Sequence, residues 1–391
     1  MATTFKSLGS GDVTTTRTLL HESIPITGSI VSGTYGGSTI ALGSEPHIKT
    51  YSHGMFQSVY DYPYLSSSAN HIFDITVGYA NDSALSASSN SQNAKKINVY
   101  NQMAQVLMGY DETGSVRQFD QDGDIIAGGT KLKECVFFNF SRLLYKDEIK
   151  KGSFELELGV SGAYTTPGST EFLSRVKLTD YSGSAGYFVN SPAGEYGVLF
   201  VTASSPYTSP GVMANNQYEK AGLLFYQAGV AVVTASVFTT AENVAEAMGG
   251  AATGGGILSH SNRNPQMTTQ SGSNMNTILT GSTIDTIADA VRHRTWNMSF
   301  NNTTELNSTI YFCRANNTDF NYSSNPTYLS TSNGPSEIVV KDADALNDPL
   351  TYITTVGLYS PDNELLAVAK LSEPLKKDPS NELTLRVRLD Y

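Results

Sequence analysis

The chain ends on its most regular pattern. Leu383, Leu385, Val387, Leu389 and Tyr391 alternate with Thr384, Arg386, Arg388 and Asp390. A period of two predicts a strand with one apolar face. Just upstream, the apolar runs TYITTVGLY and ELLAVAKLSEPLKK flank Ser360-Pro361-Asp362-Asn363. Proline presets a turn dihedral and aspartate bonds nearby backbone, so a tight β-hairpin is predicted there. SFELELGV repeats the alternation with Phe154, Leu156, Leu158 and Val160, and TWNMSF does so with Trp296, Met298 and Phe300. ECVFFNFSRLL, FLSRVKLTDY, GVLFVTAS, GLLFY and GVAVVTASVF fill a strand-rich centre over 133–240, and Gln227-Ala228 before Gly229 reads as a hairpin turn. A further hairpin is expected around Asp120-Gln121-Asp122-Gly123.

Helical periods are fewer. Over about 92–108, Ile97, Tyr100, Met103, Ala104 and Leu107 fall on one face, with Gly109 placed as a C-terminal cap. Ser282-Thr283-Ile284-Asp285 resembles a capping box and opens a second helix whose apolar face is Ile284, Ile287, Ala288 and Val291. TTAENVAEAMGG reads as a third, short helix. The predicted fold is mainly β, with sandwich- or barrel-like domains and a few short helices; an α+β arrangement is the alternative. Four regions are expected: an arm over 1–50, a central β-rich domain over 51–240, a helical and Gly/Ser-rich linker region over 241–292, and a C-terminal β domain over 293–391.

Composition narrows the function classes. Charged residues are only 16% of the chain, with Gly, Ser, Thr and Asn in their place, while Tyr (22) and Phe (16) are abundant. Tyrosine-rich, lysine-poor surfaces suit interfaces. A formal net charge of −11 opposes nucleic acid and anionic membrane as partners. No basic-then-apolar leader and no long apolar run is present, so no membrane partner is expected. With two cysteines and no CxxC pair, folding in a reducing cytosol is expected.

Each catalytic motif loses to a simpler reading. Asp120, Asp122 and Asp124 have part of the spacing of a calcium loop, but Ile125 and Lys131 stand where an EF-hand needs Gly and Glu. The six histidines form no HExxH and no Cys/His zinc spacing. His53 and His71 sit in an aromatic block, where ordinary loop histidines are expected. Arg292-His293-Arg294 suits the negative end of a helix dipole. GGAATGGG lacks the Lys-Ser/Thr of a phosphate loop. Cys135 and Cys313 read as buried hydrophobes. No catalytic residue, cofactor or metal is assigned. The residues expected to make assembly contacts are Tyr51, Phe56, Tyr60, Tyr62 and Tyr64 in the aromatic block, with Tyr359 and Tyr391 at the C-terminus. The linker 249–275 and the N-terminal arm are expected to join them.

GLYSPDNELLAVAK resembles a short pattern of tailed-phage structural proteins, carried here by Gly357, Leu358, Tyr359, Glu364, Leu365, Leu366, Ala367 and Val368. FNYSSNPTY, YSHGMFQSVYDYPYLSSSANHIFD and YNQMAQVLMGYDETGSVRQFDQDG extend the likeness to virion structural proteins of large contractile-tailed, T-even-like phages of marine bacteria. The resemblance implies a non-enzymatic virion component made in the bacterial cytoplasm. Its partners would be other virion proteins and copies of itself. A tail or baseplate location is the first expectation. A neck, collar or capsid-associated protein, or a glycan-binding fibre module, is the alternative.

Overall fold

A computed structural model describes residues 5–26, 46–125, 128–161, 174–204, 209–210, 213–214, 217–238, 279–321, 329–330, 337–338 and 350–391. In chain order the main elements are β1 (Val13–Pro25), β2 (Ile48–Thr50), β3 (Gln57–Tyr60), β4 (His71–Tyr79), α1 (Asn93–Leu107), β5 (Glu134–Phe140), β6 (Glu148–Ile149), β7 (Glu155–Ser161), β8 (Ser174–Thr179), β9 (Phe188–Ser191) and β10 (Gly194–Ser204). Then come β11 (Lys220–Phe225), β12 (Val230–Thr234), α2 (Ile284–Arg294), β13 (Thr295–Ala315), β14 (Thr351–Tyr359), β15 (Leu365–Lys377) and β16 (Leu383–Asp390). The fold is mainly β with a few short helices, as the alternating patterns predict.

The chain divides into two compact units, 20–304 and 1–19 with 305–391. The boundary falls inside β13, a strand that the sequence pattern places wholly in a C-terminal domain.

In the unit 20–304, the first part of β13 starts an antiparallel sheet that continues through β7, β8, β10, β11, β12, β5, β4 and β3 to β2. The β11–β12 hairpin forms on the predicted turn, with Gly229 at φ 64°, a left-handed conformation that favours glycine. The sheet curls. Phe140 on β5 lies 5.8 Å from Phe154 beside β7 and 5.3 Å from Phe300 on β13, ring centre to ring centre. Four strands separate β5 from β7 along the ladder, so only a strongly bent sheet brings these rings together. Phe73 and Phe138 continue this inner layer. The other face of β5 points Phe137 at Tyr100 of α1 and at Phe119. ECVFFNF is thus apolar without alternation because both of its faces are covered.

α1 packs on β4, and α2 packs on β4, β3 and β7. Gly78 sets the first contact: a Cβ there would stand 2.6 Å from the Lys96 carbonyl oxygen and 2.8 Å from the Tyr100 nitrogen. Tyr100, Ala104 and Leu107 are buried as the helical period predicts, and Gly109 takes the left-handed conformation at the helix end. α2 is buried well beyond its apolar face, since Asp289 and Arg292 are enclosed along with Ile284, Ile287, Ala288 and Val291.

Two local expectations are corrected. The segment around Asp120–Gly123 forms isolated bridges, Tyr110 to Val116 and Asp120 to Lys131, instead of a strand hairpin. Thr283 is the N-cap of α2, but its hydroxyl meets that of Thr286 at 2.7 Å, and the Ile284 N–H donates to the Gln92 side chain at 2.8 Å. Arg292 lies in the last turn of α2, at the helix end that the sequence predicts, and there it is buried and ion-paired with Asp289. Segment 249–275 and the third predicted helix lie outside the described residues.

In the unit of 1–19 and 305–391, the second part of β13 pairs with β16 over Ser308–Ala315 and Leu383–Asp390. β16 shows the predicted alternation, with Val387 buried and Arg386 and Arg388 exposed. β14 and β15 form a separate two-stranded hairpin. Its turn is closed by Asn363 N–H to Ser360 O (3.0 Å) and Glu364 N–H to Ser360 Oγ (3.1 Å), with Asn363 at φ 65°.

Candidate functional site

The chemistry gathers on two surfaces. The first is the outer face of β2–β3–β4. Alternation turns Val59, Phe73 and Ile75 into the core and puts Ser58, Tyr60 and Asp74 on the opposite face, where Ser58 is buried and Tyr60 and Asp74 are part-buried. Tyr51 stacks on His53 at 5.1 Å and meets Phe56 at 4.8 Å. Lys49 places its ammonium 4.9 Å from the Tyr51 ring centre, a cation–π contact. Tyr60 lies against Tyr64 and His71.

A hydrogen-bond chain runs beneath these rings. Tyr51 Oη and Ser58 Oγ are 3.3 Å apart, Ser58 donates to Asp74 at 2.5 Å, and His71 Nε2 meets the same carboxylate oxygen at 2.8 Å. Ser58 therefore points at the acid and not at the imidazole. A nucleophilic serine needs the reverse order, with histidine between the two. Burial raises the Tyr60 pKa, and Tyr51 and Asp74 add to the rise, so its phenol stays protonated at neutral pH. The outcome is an ordered, part-buried aromatic edge. Tyr51, Phe56, Tyr60 and Tyr64 are all in it, with Tyr62 more exposed at its rim. Ser58 and Asp74 escaped the sequence reading, although their outward parity in QSVY and HIFDITV was a usable signal.

The second surface is the β14–β15 hairpin. Val368 pairs opposite Gly357, and Tyr359 pairs opposite Leu365. Leu366 is 67% exposed and Val368 54%, and Tyr352, Tyr359 and Leu365 are exposed as well. Phe5 lies 4.7 Å from Tyr359. The base of the hairpin is held by Lys377, fully buried, which donates to Asn321 Oδ1 (2.7 Å), Asp378 O (2.8 Å) and Asn317 O (3.3 Å). Tyr391, the last residue, is 73% exposed, with its hydroxyl 3.0 Å from that of Thr309.

The acidic loop carries lysines where a cation would sit. Asp120 is ion-paired with Lys131 and accepts the Asp122 N–H at 2.8 Å, and Asp122 is ion-paired with Lys220. Among the described residues no group of three acidic, histidine or cysteine side chains is placed to hold a metal. Cys135 is enclosed and burial pushes its thiol well up. Cys313 is only part-buried, a correction to its reading as a core hydrophobe; burial also raises its pKa.

Buried polar groups elsewhere serve as internal ties. Asp180 accepts the N–H groups of Gly152 (2.7 Å) and Phe154 (2.9 Å), and burial lifts its pKa to about 6 against those bonds. Lys151 bridges Glu195 (2.6 Å) and Glu148 (3.2 Å), and these carboxylates hold its pKa above the usual value against the pull of burial. Lys96, inside α1, donates to the carbonyls of Leu279 and Ser282 (2.6 Å each) and Ser91 (2.8 Å). Comparisons of the chain with protein-family models, curated proteins and solved structures found no match.

Proposed function

We propose that the chain is a non-enzymatic structural subunit of a contractile-tailed phage virion, placed in the tail or baseplate, which works by binding neighbouring subunits. The observation that carries this reading is the β14–β15 hairpin. A two-stranded hairpin is marginal in water unless something packs on it. This one presents Tyr352, Tyr359, Leu365, Leu366 and Val368 to solvent. Tyr359 and Leu365 flank Gly357, which pairs opposite Val368, so an exposed apolar patch sits near the turn, the kind of feature that marks a protein contact surface. The segment is also the one whose sequence resembles phage structural proteins. The ordered aromatic edge, built from rings that keep part of their area exposed, supplies a second surface of interface composition.

Light scattering tests the assembly step. The chain should reach a defined oligomeric mass with rising concentration. Leu366→Lys combined with Val368→Lys should reduce that mass while shifting stability by no more than about 0.5 kcal/mol, as exposed substitutions do. A chain that stays monomeric at every concentration overturns self-assembly. Mass spectrometry of particles from the host lysate tests the location: few copies per particle fit a baseplate or neck, hundreds fit the capsid, and none overturns the virion reading.

A further inference from the structure

We propose that the N-terminal arm, Phe5–Ile26, is a donor strand exchanged between two copies of this chain. The inference deepens the assembly reading and rests on it for one condition, close packing of copies.

The arm is long but barely buried. Within β1 every residue except Ile24 is exposed, including Leu19 and Leu20. The arm's fully buried side chain is Ile26, at its far end. What holds the rest is a sheet ladder to β13 and a row of polar rim contacts. In the unit of 1–19 and 305–391, Lys6 pairs with Asp319, Asp12 with Arg314 and Arg17 with Glu305, while Thr15 and Thr309 hydroxyls are 3.5 Å apart. In the other unit, Glu22 pairs with Lys146 at 2.8 Å, and its backbone N–H donates to Asn302 Oδ1 at 3.1 Å. Exposed ion pairs of this kind contribute little each. Detaching the arm therefore sacrifices little apolar burial, yet it bares the edge of β13, which any matching strand will cover.

The matching strand need not be the chain's own. Partners such as Thr15 and Thr309 lie 294 residues apart in sequence, so no local chain geometry forces the pairing to be internal. The arm leads into residues 27–45, TGSIVSGTYGGSTIALGSE, whose covalent reach is at most about 65 Å. A second copy offers the same ladder, the same ion pairs and the same seat for Ile26, which is the condition for a domain swap. Mass action then decides. A strand joined by a short link competes at an effective concentration in the millimolar range. A dilute chain keeps its own arm, and copies packed in a ring or layer exchange theirs.

Cross-linking in trans tests the exchange. In a Cys313→Ser background, Thr15→Cys chains are mixed with Thr309→Cys chains at about millimolar concentration, the range set by the tether. A disulfide-linked dimer should form well above the level reached when Leu65→Cys, an exposed site away from the arm, replaces Thr309→Cys. The two cysteines placed in one chain and oxidised in dilute solution should lock the arm at home, abolish dimer formation on later concentration and release it again on reduction. A linked single chain with no linked pair from the mixture overturns the proposal. Charge reversal provides a readout that needs no disulfide. Lys6→Asp with Arg17→Glu in one chain, and Asp319→Lys with Glu305→Lys in another, leave repulsive pairs at home and attractive ones only in trans. Their mixture should dimerise roughly fivefold or more over either alone; an equal dimer fraction overturns the exchange. An oligomer without the trans cross-link leaves the assembly reading standing and removes only the swap, while a chain monomeric under all conditions removes both.

Discussion

At the scale of the residue, the informative side chains are buried charges that motifs do not mark. Lys96 lies on the face of α1 that meets the sheet, where a helical period asks for an apolar residue. Its ammonium is fully enclosed, and burial draws its pKa down to about 8. It is still protonated at neutral pH, with three donors for three carbonyls. Lys96→Met keeps the stem and removes those donors. A loss of about 3 kcal/mol is expected, because buried acceptors are left unsatisfied, and a lower denaturant midpoint at constant slope would register it. Asp180 makes a pH-dependent prediction. Its folded pKa of about 6 exceeds the value of about 3.9 for an unfolded aspartate. The folded chain thus binds more protons between those limits, and the contribution is full below pH 4 and lost as pH rises through 6. Asp180→Asn should remove that trend, so the wild-type minus variant stability should fall by roughly 2–3 kcal/mol from pH 4 to pH 7. A flat difference would show that Asp180 titrates as it does in the unfolded chain.

At the scale of the element, local patterns read true for alternating strands, for apolar runs bounded by turn residues and for the helical periods. β16, β11–β12, β14–β15 and α1 all stand where alternation, turn residues and helical period put them. The segment around Asp120 misled because Asp and Gly at a turn say nothing about whether flanking residues find a ladder. Here the Asp120 carboxylate organises the loop itself, through Lys131 and the Asp122 N–H. Docking of α1 on β4 depends on Gly78. Gly78→Ala would drive a methyl into helix backbone, which cannot yield as a side-chain tip would. A destabilisation of about 1–3 kcal/mol is expected from this overpacking, read as a drop in melting temperature. An unchanged melting temperature would mean that helix and strand separate freely.

At the scale of the whole molecule, the curled sheet explains how 20–304 builds a core without long helices. Phe73, Phe138, Phe140 and Phe300 come from three strands and Phe154 from the chain beside a fourth, and they meet only after the sheet bends. The candidate surfaces follow from the same geometry. The aromatic edge lies on the strands that end the ladder, and the exposed hairpin lies in the unit of 1–19 and 305–391. Assembly through such surfaces, and exchange of the arm, belong to this scale because each needs a second copy.

The sequence by itself determined the mainly β class, the alternating strands, the hairpin turns of β11–β12 and β14–β15, and the helices α1 and α2. These depend on side-chain period and on residues next to one another in the chain. Only the tertiary structure decided that Arg292 and Lys96 are buried, that Ser58 and Asp74 join the tyrosines, that β13 belongs to two units, and that the arm lies along it. Those facts depend on residues up to some 290 positions apart, and no local pattern specifies which distant groups will share a low-dielectric interior or an open sheet edge.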